Sequence, residues 1–323
     1  MGEPTKLLDR RLLLFTGKGG VGKTTIAAGV ALEAARRGKR PLIVEMGHRA
    51  SMESIFGVRN IGYEPQSVGR GIHAMNLDFE QSLYEYMVEH VRVARVARAV
   101  LSNKALQGFF HAAPAVAEIA ALNKVSSLVR ERQKDGSLRW DPVIVDLDAT
   151  GHALMLLNLP SVMDGLVGQG PMRALVDGFS GLLADPRQTV LSLITLPREL
   201  PTQETCELFA KLRADHKVPL GALFINRVPV LPVQDELLPL LDHLRGAVAA
   251  QPDHPVAGTV RRRLELARVA TQRRDRAQEQ IDRLARDVPL PTARLPAISY
   301  ATLDLDRIAE LGAAALAAVE APA

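Results

Sequence analysis

Gly17-Lys18-Gly19-Gly20-Val21-Gly22-Lys23-Thr24 is the stretch whose reading decides the fold. It fits glycine, four residues, then Gly-Lys-Thr, the pattern of a phosphate-binding loop. Its surroundings agree with that reading. Leu12-Leu13-Leu14-Phe15 reads as a buried strand. Ile26, Ala27, Val30, Ala31 and Ala34 recur at helical spacing, and Gly38 stands where a helix C-cap belongs. Strand, glycine loop and helix are what phosphate binding needs. Glycines let backbone N–H groups close around phosphate oxygens, and the helix N-terminus favours negative charge. Lys23 would meet the β- and γ-phosphates, and the Thr24 hydroxyl would ligate Mg²⁺. The expected fold is therefore α/β, a P-loop NTPase with a doubly wound, mostly parallel sheet. ATP and Mg²⁺ are the expected cofactors.

Composition sets outer bounds. The chain has 323 residues, 47% hydrophobic and 24% charged, enough to build a core. Aromatic residues make up only 4% and the net charge is +4, which argues against a stacking-based nucleic-acid binder. No apolar run reaches the length of a membrane span, so no stable membrane insertion is expected. Met1-Gly2-Glu3-Pro4 is too polar to open a signal peptide, and a cytoplasmic location is expected. One cysteine, Cys206, excludes an internal disulfide framework and any multi-cysteine metal site.

Further along, Pro41-Leu42-Ile43-Val44-Glu45 reads as the second strand and Ile72-His73-Ala74-Met75 as another. From Phe79 the pattern turns to long helices. Leu83, Tyr86, Met87, His90 and Val91 share one face, and Val116, Ile119, Leu122 and Val129 share another. One domain spanning 1–323 is expected, with a helical insertion near 79–135 and a shorter helical part at 160–187. No internal repeat is visible. Val143-Ile144-Val145 is a further strand, closed by Asp146, and a carboxylate there can hold the water shell of Mg²⁺ beside Thr24. Strands at Thr189–Thr195, at 220–225 and near 293–296, and a helix near 303–319, complete the alternation. Residues 261–286 read as an arginine-rich helix. Glu265, Asp275, Glu279 and Asp282 are mixed in, which favours a solvated helix laced with i,i+4 pairs over a nucleic-acid patch.

The phosphate loop carries a second lysine, Lys18, which an ordinary loop does not require. Gly-Lys-Gly-Gly-Val-Gly-Lys-Thr-Thr, running from Gly17 to Thr25, resembles the deviant loop of the signature-lysine ATPases. The segment Asp146-Leu147-Asp148-Ala149-Thr150-Gly151-His152-Ala153-Leu154 is similar to the switch II sequence of the ArsA/Get3 family within that class, Asp-Thr-Ala-Pro-Thr-Gly-His-Thr-Leu. The order of strand, Glu204-Thr205 helix, strand and Asn226-Arg227 is also similar. The resemblance implies that Lys18 reaches a partner's nucleotide across a dimer and that Asn226 reads the adenine. It further implies that a protein or membrane-protein client responds to the ATP cycle.

Departures from the family pattern carry expectations of their own. A single cysteine makes arsenite transport improbable, and the Cys-x-x-Cys zinc pair of the tail-anchored targeting factors is absent. Laid on the family's switch I, Gly47 falls where the water-positioning Asp stands, and glycine cannot do that work. Asp148 is then a candidate catalytic carboxylate, beside Lys18 and Lys23, and Glu45 is a second. A heterodimer with a paralogous subunit would be another route, instead of a homodimer. Slow hydrolysis is the expectation. A non-hydrolysing scaffold and a DNA-bound positioning ATPase of the ParA type are the alternatives.

Overall fold

The computed structural model describes residues 6–46, 51–91, 114–147, 157, 171–215, 218–230, 238–298 and 303–321. Among them an eight-stranded sheet runs β3-β4-β2-β5-β1-β6-β7-β8. The strands are β1 (Leu12–Thr16), β2 (Leu42–Met46), β3 (Gln66–Gly69), β4 (Ile72–Leu77), β5 (Val143–Asp146), β6 (Thr189–Thr195), β7 (Leu220–Val228) and β8 (Thr292–Pro296). Every neighbouring pair is parallel except β3 with β4. The central strands β1, β2, β5 and β6 are buried at every position. Helices cover both faces of a parallel sheet, so such strands read as continuous apolar runs.

The helices sort by face. On one side lie α1 (Lys23–Arg36), α2 (Ser51–Phe56) and α9 (Leu305–Glu320), packed on Leu13, Phe15, Ile43 and Ile144. On the other lie α4 (Pro114–Arg130), α5 (Pro171–Ala184), α6 (Glu199–Asp215) and α8 (Ala257–Asp287), packed on Leu12, Leu14, Val143 and Val145. In the expected insertion, α3 (Phe79–Val91) packs on α4, and Lys124 bridges to Glu85 at 2.7 Å. The Asp304 side chain caps α9 by accepting from the Arg307 N–H at 2.8 Å. At the crossing of α1 and α9 the backbones meet: a Cβ built on Gly312 would stand 2.0 Å from the Gly29 carbonyl oxygen. Only glycine permits that approach, and it fixes α1, the helix that starts in the phosphate loop.

Several features were not expected. The polar edge strand β3 has a four-residue sequence, Gln-Ser-Val-Gly, with one buried position. Helix α7 (Leu238–Ala250) packs on α8 and leaves Leu240 and Leu244 exposed. Helix α8 begins at Ala257, ahead of the arginine run. Three arginines of α8 engage acids along the helix: Arg268 with Glu265 at i,i+3, Arg274 with the adjacent Asp275, and Arg283 with Asp287 at i,i+4.

Candidate nucleotide site

Parallel strands leave a crevice at their C-terminal ends, and ligands of open α/β sheets bind there. Strand β1 ends in the phosphate loop, and its neighbour β5 ends in Asp146, with Phe15 and Asp146 as register partners. That pairing delivers the Asp146 carboxylate to the first turn of α1. Thr24 donates its hydroxyl to Asp146 Oδ2 at 2.5 Å. A hydroxyl and a carboxylate held together, one on each side of the loop, are oxygen donors suited to a hard divalent cation. Thr24 and Asp146 would hold Mg²⁺, and the ion would neutralise charge on bound phosphates.

The loop itself is shaped by close contacts. A Cβ on Gly17 would lie 2.1 Å from the Ile194 carbonyl oxygen of β6. Gly22 has φ +96°, and a Cβ there would meet Asn226 Nδ2 at 2.3 Å. Gly19 and Gly20 line the open side, where an added Cβ would meet nothing within 4 Å. Val21 is buried and seats the loop on the core. Lys23 is buried and donates to the Gly17 carbonyl at 3.2 Å and the Lys18 carbonyl at 3.4 Å. Its ammonium thus sits inside the loop's curve, where phosphate oxygens would take the place of those carbonyls. The first turn of α1, with Lys23, Thr24 and Thr25, carries no acidic residue, so nothing there opposes an anion.

Asn226 closes the loop from the β7 side. Its Nδ2 donates to the Val21 carbonyl at 2.9 Å, and its Oδ1 accepts from the Arg227 N–H at 2.9 Å. The side chain that the resemblance assigns to the adenine thus also braces the loop from β7. Glu45 and Asp146 are register partners on β2 and β5, two residues past Ile43 and Ile144, which both face α1. Alternation therefore puts both carboxylates on the α1 face of the sheet. Both are buried, and Glu45 Oε2 accepts from the Met52 N–H of α2 at 3.4 Å. Glu45 so ties the end of β2 to the helix beyond residues 47–50. Those residues, Asp148, and the Thr150-Gly151-His152 run of switch II lie outside the described residues.

One partner was not legible. Lys18 pairs with Glu204 of α6 at 2.5 Å, across 186 residues of sequence. Glu204 lies in a stretch the sequence singles out, yet no spacing rule links it to the loop.

A phosphate loop on the central strand, with a hydroxyl–carboxylate pair beside it, defines a P-loop nucleotide-binding protein. The profile of the anion-transporting ATPase family matches residues 10–177, and the chain belongs to that family, the ArsA ATPases. ATPase BagA of Mycobacterium tuberculosis is 30% identical over 329 residues, covering 96% of this chain and 94% of that one. The arsenical pump-driving ATPase of Escherichia coli is 29% identical over 222 residues, covering 62% of this chain and 37% of that protein. A similar protein of the same description from Acidiphilium multivorum is 28% identical over 220 residues. Among the described residues no helix is long and apolar enough to cross a membrane, and no cluster of three or more His, Cys, Asp or Glu could hold a metal.

Proposed function

We propose that the chain is a cytoplasmic Mg-ATP-dependent ATPase that dimerises around nucleotide and uses the cycle to control a protein or membrane-protein client. The observation that carries the nucleotide part is the 2.5 Å contact between Thr24 and Asp146 at the mouth of a complete phosphate loop. In the reaction, the loop N–H groups and Lys23 would bind and orient the phosphates, while Lys18 would act across the dimer. Positioning and electrostatics supply nearly all of the catalysis in phosphoryl transfer. Gly47 offers no carboxylate to orient the attacking water, so turnover is slow, and Asp148 or Glu45 supplies that group. Supporting Glu45 is its place on the α1 face beside Asp146. Arsenite as cargo is disfavoured, because Cys206 is the one thiol, partly buried, and its burial pushes the thiol pKa up. The acids mixed among the arginines of α8 argue against a nucleic-acid patch there. Steady-state phosphate release by the purified chain tests the reading. Slow, Mg²⁺-dependent turnover lost in Asp146→Asn supports it, and turnover indifferent to that change refutes it.

A further inference from the structure

We propose that Glu204 is a positioning residue for Lys18. It holds the loop's second ammonium within its own protomer, and closure of the dimer exchanges that carboxylate for the partner's phosphates. This rests on the reading above, in which Lys18 acts across the dimer.

The bridge is short, 2.5 Å between Lys18 Nζ and Glu204 Oε1. Its two ends differ in how firmly they are held. Glu204 sits on a helix whose start is fixed from inside. Thr202 is fully buried, Thr205 donates to the Pro201 carbonyl at 2.8 Å, and Thr195 of β6 donates to the same carbonyl at 3.1 Å. Lys18 sits on the loop that must receive phosphate, and its own carbonyl accepts from Lys23. One carboxylate on a fixed helix therefore sets where a long, flexible side chain rests.

Exposure decides how strong the restraint is. The side chains of Lys18 and Glu204 are 33% and 31% exposed. A fully buried pair would be costly to break, because one charge would be stranded. A fully exposed pair would barely hold. At this burial the bridge orders Lys18 yet yields to a nucleotide's phosphates, which present several negative charges to the ammonium where Glu204 presents one. The loop's second lysine is thus withheld until a partner presents nucleotide.

The test uses the full chain and the Glu204→Gln variant. Reductive methylation read by mass spectrometry reports the freedom of Lys18 without nucleotide, and its rate should rise about threefold when the bridge is lost. Sedimentation with Mg²⁺ and a non-hydrolysable ATP analogue reports closure. Two bridges open per dimer, so the association constant should rise about tenfold. In a Lys18→Ala background the Glu204→Gln change should leave the urea-unfolding midpoint unchanged, whereas a merely structural role in α6 would lower it there as well. Glu204→Asp, which keeps the charge, should stay near wild type in both readouts. If nucleotide leaves wild-type association unchanged, the reading of Lys18 across the dimer falls, and this proposal with it. If nucleotide drives wild-type association but Glu204→Gln fails to shift either readout, the role of Glu204 alone is refuted.

Discussion

The contact between Gly29 and Gly312 makes the Gly312→Ala substitution a quantitative test of how α1 is held. An alanine Cβ would stand 2.0 Å from the Gly29 oxygen and 2.2 Å from its carbonyl carbon. Ordinary contact begins near 3.4 Å, so α9 would have to retreat by about 1.4 Å. Backbone atoms have no other rotamer to adopt, so relief requires moving a whole helix. That helix buries Ile308, Leu311, Ala315 and Leu316 against the sheet. Overpacking of this kind costs up to about 3 kcal/mol, and the better helix propensity of alanine returns about 1 kcal/mol. The expected net loss is about 2 kcal/mol, from the difference of those two figures. Urea unfolding should show it as a lower midpoint at an unchanged slope. Gly246→Ala is the control. It lies in α7, where an added Cβ meets nothing within 4 Å, so the change should stabilise by up to about 1 kcal/mol. A Gly312→Ala protein as stable as wild type would refute the reasoning, because α9 would then not be seated on α1 as described.

Two more predictions concern chemistry and pH. Asp148→Asn or Glu45→Gln should lower steady-state ATP turnover by about tenfold or more, since removing a water-positioning group from phosphoryl transfer is costly. Brisk hydrolysis untouched by either change would place the water on another residue. His73 packs tilted against Trp140, ring centroids 4.9 Å apart, and burial, then the nearby Arg139, lowers its pKa. Below about pH 6.5 the unfolded imidazole takes a proton that the folded one resists, so stability falls as pH drops through that value. Melting curves between pH 7.5 and 5.5 should show that fall, and His73→Phe should reduce it. An identical pH dependence in His73→Phe would assign the fall to other groups.

Much of the fold was legible because its signals are local. The run Leu12–Phe15, the loop glycines and the helical spacing of Ile26 to Ala34 are periodic or fixed in position, and they became β1, the loop and α1. Asp146 was legible as a carboxylate closing an apolar strand. Strand β3 was not, because a polar edge strand of four residues has almost no apolar alternation to show. Helix α7, between the Asn226 strand and the arginine run, is not among the expected elements. Leu240 and Leu244 are exposed, so that face is not set by a core. Asn226 was expected to face adenine by resemblance, and its contact with Val21 depends on how β7 meets the loop. The Lys18–Glu204 bridge is a tertiary contact between distant elements, which no local pattern encodes.

The central claim is that Gly17–Thr25, with Asp146, is a Mg-ATP site. Calorimetric titration of ATP with Mg²⁺ into the wild-type chain and into Lys23→Ala measures it directly. Lys23 is the buried ammonium inside the loop, so its loss removes the point charge that meets the β- and γ-phosphates. Wild type should give saturable heat, and Lys23→Ala no measurable binding at the same concentrations. Equal affinity in the two proteins would contradict the claim.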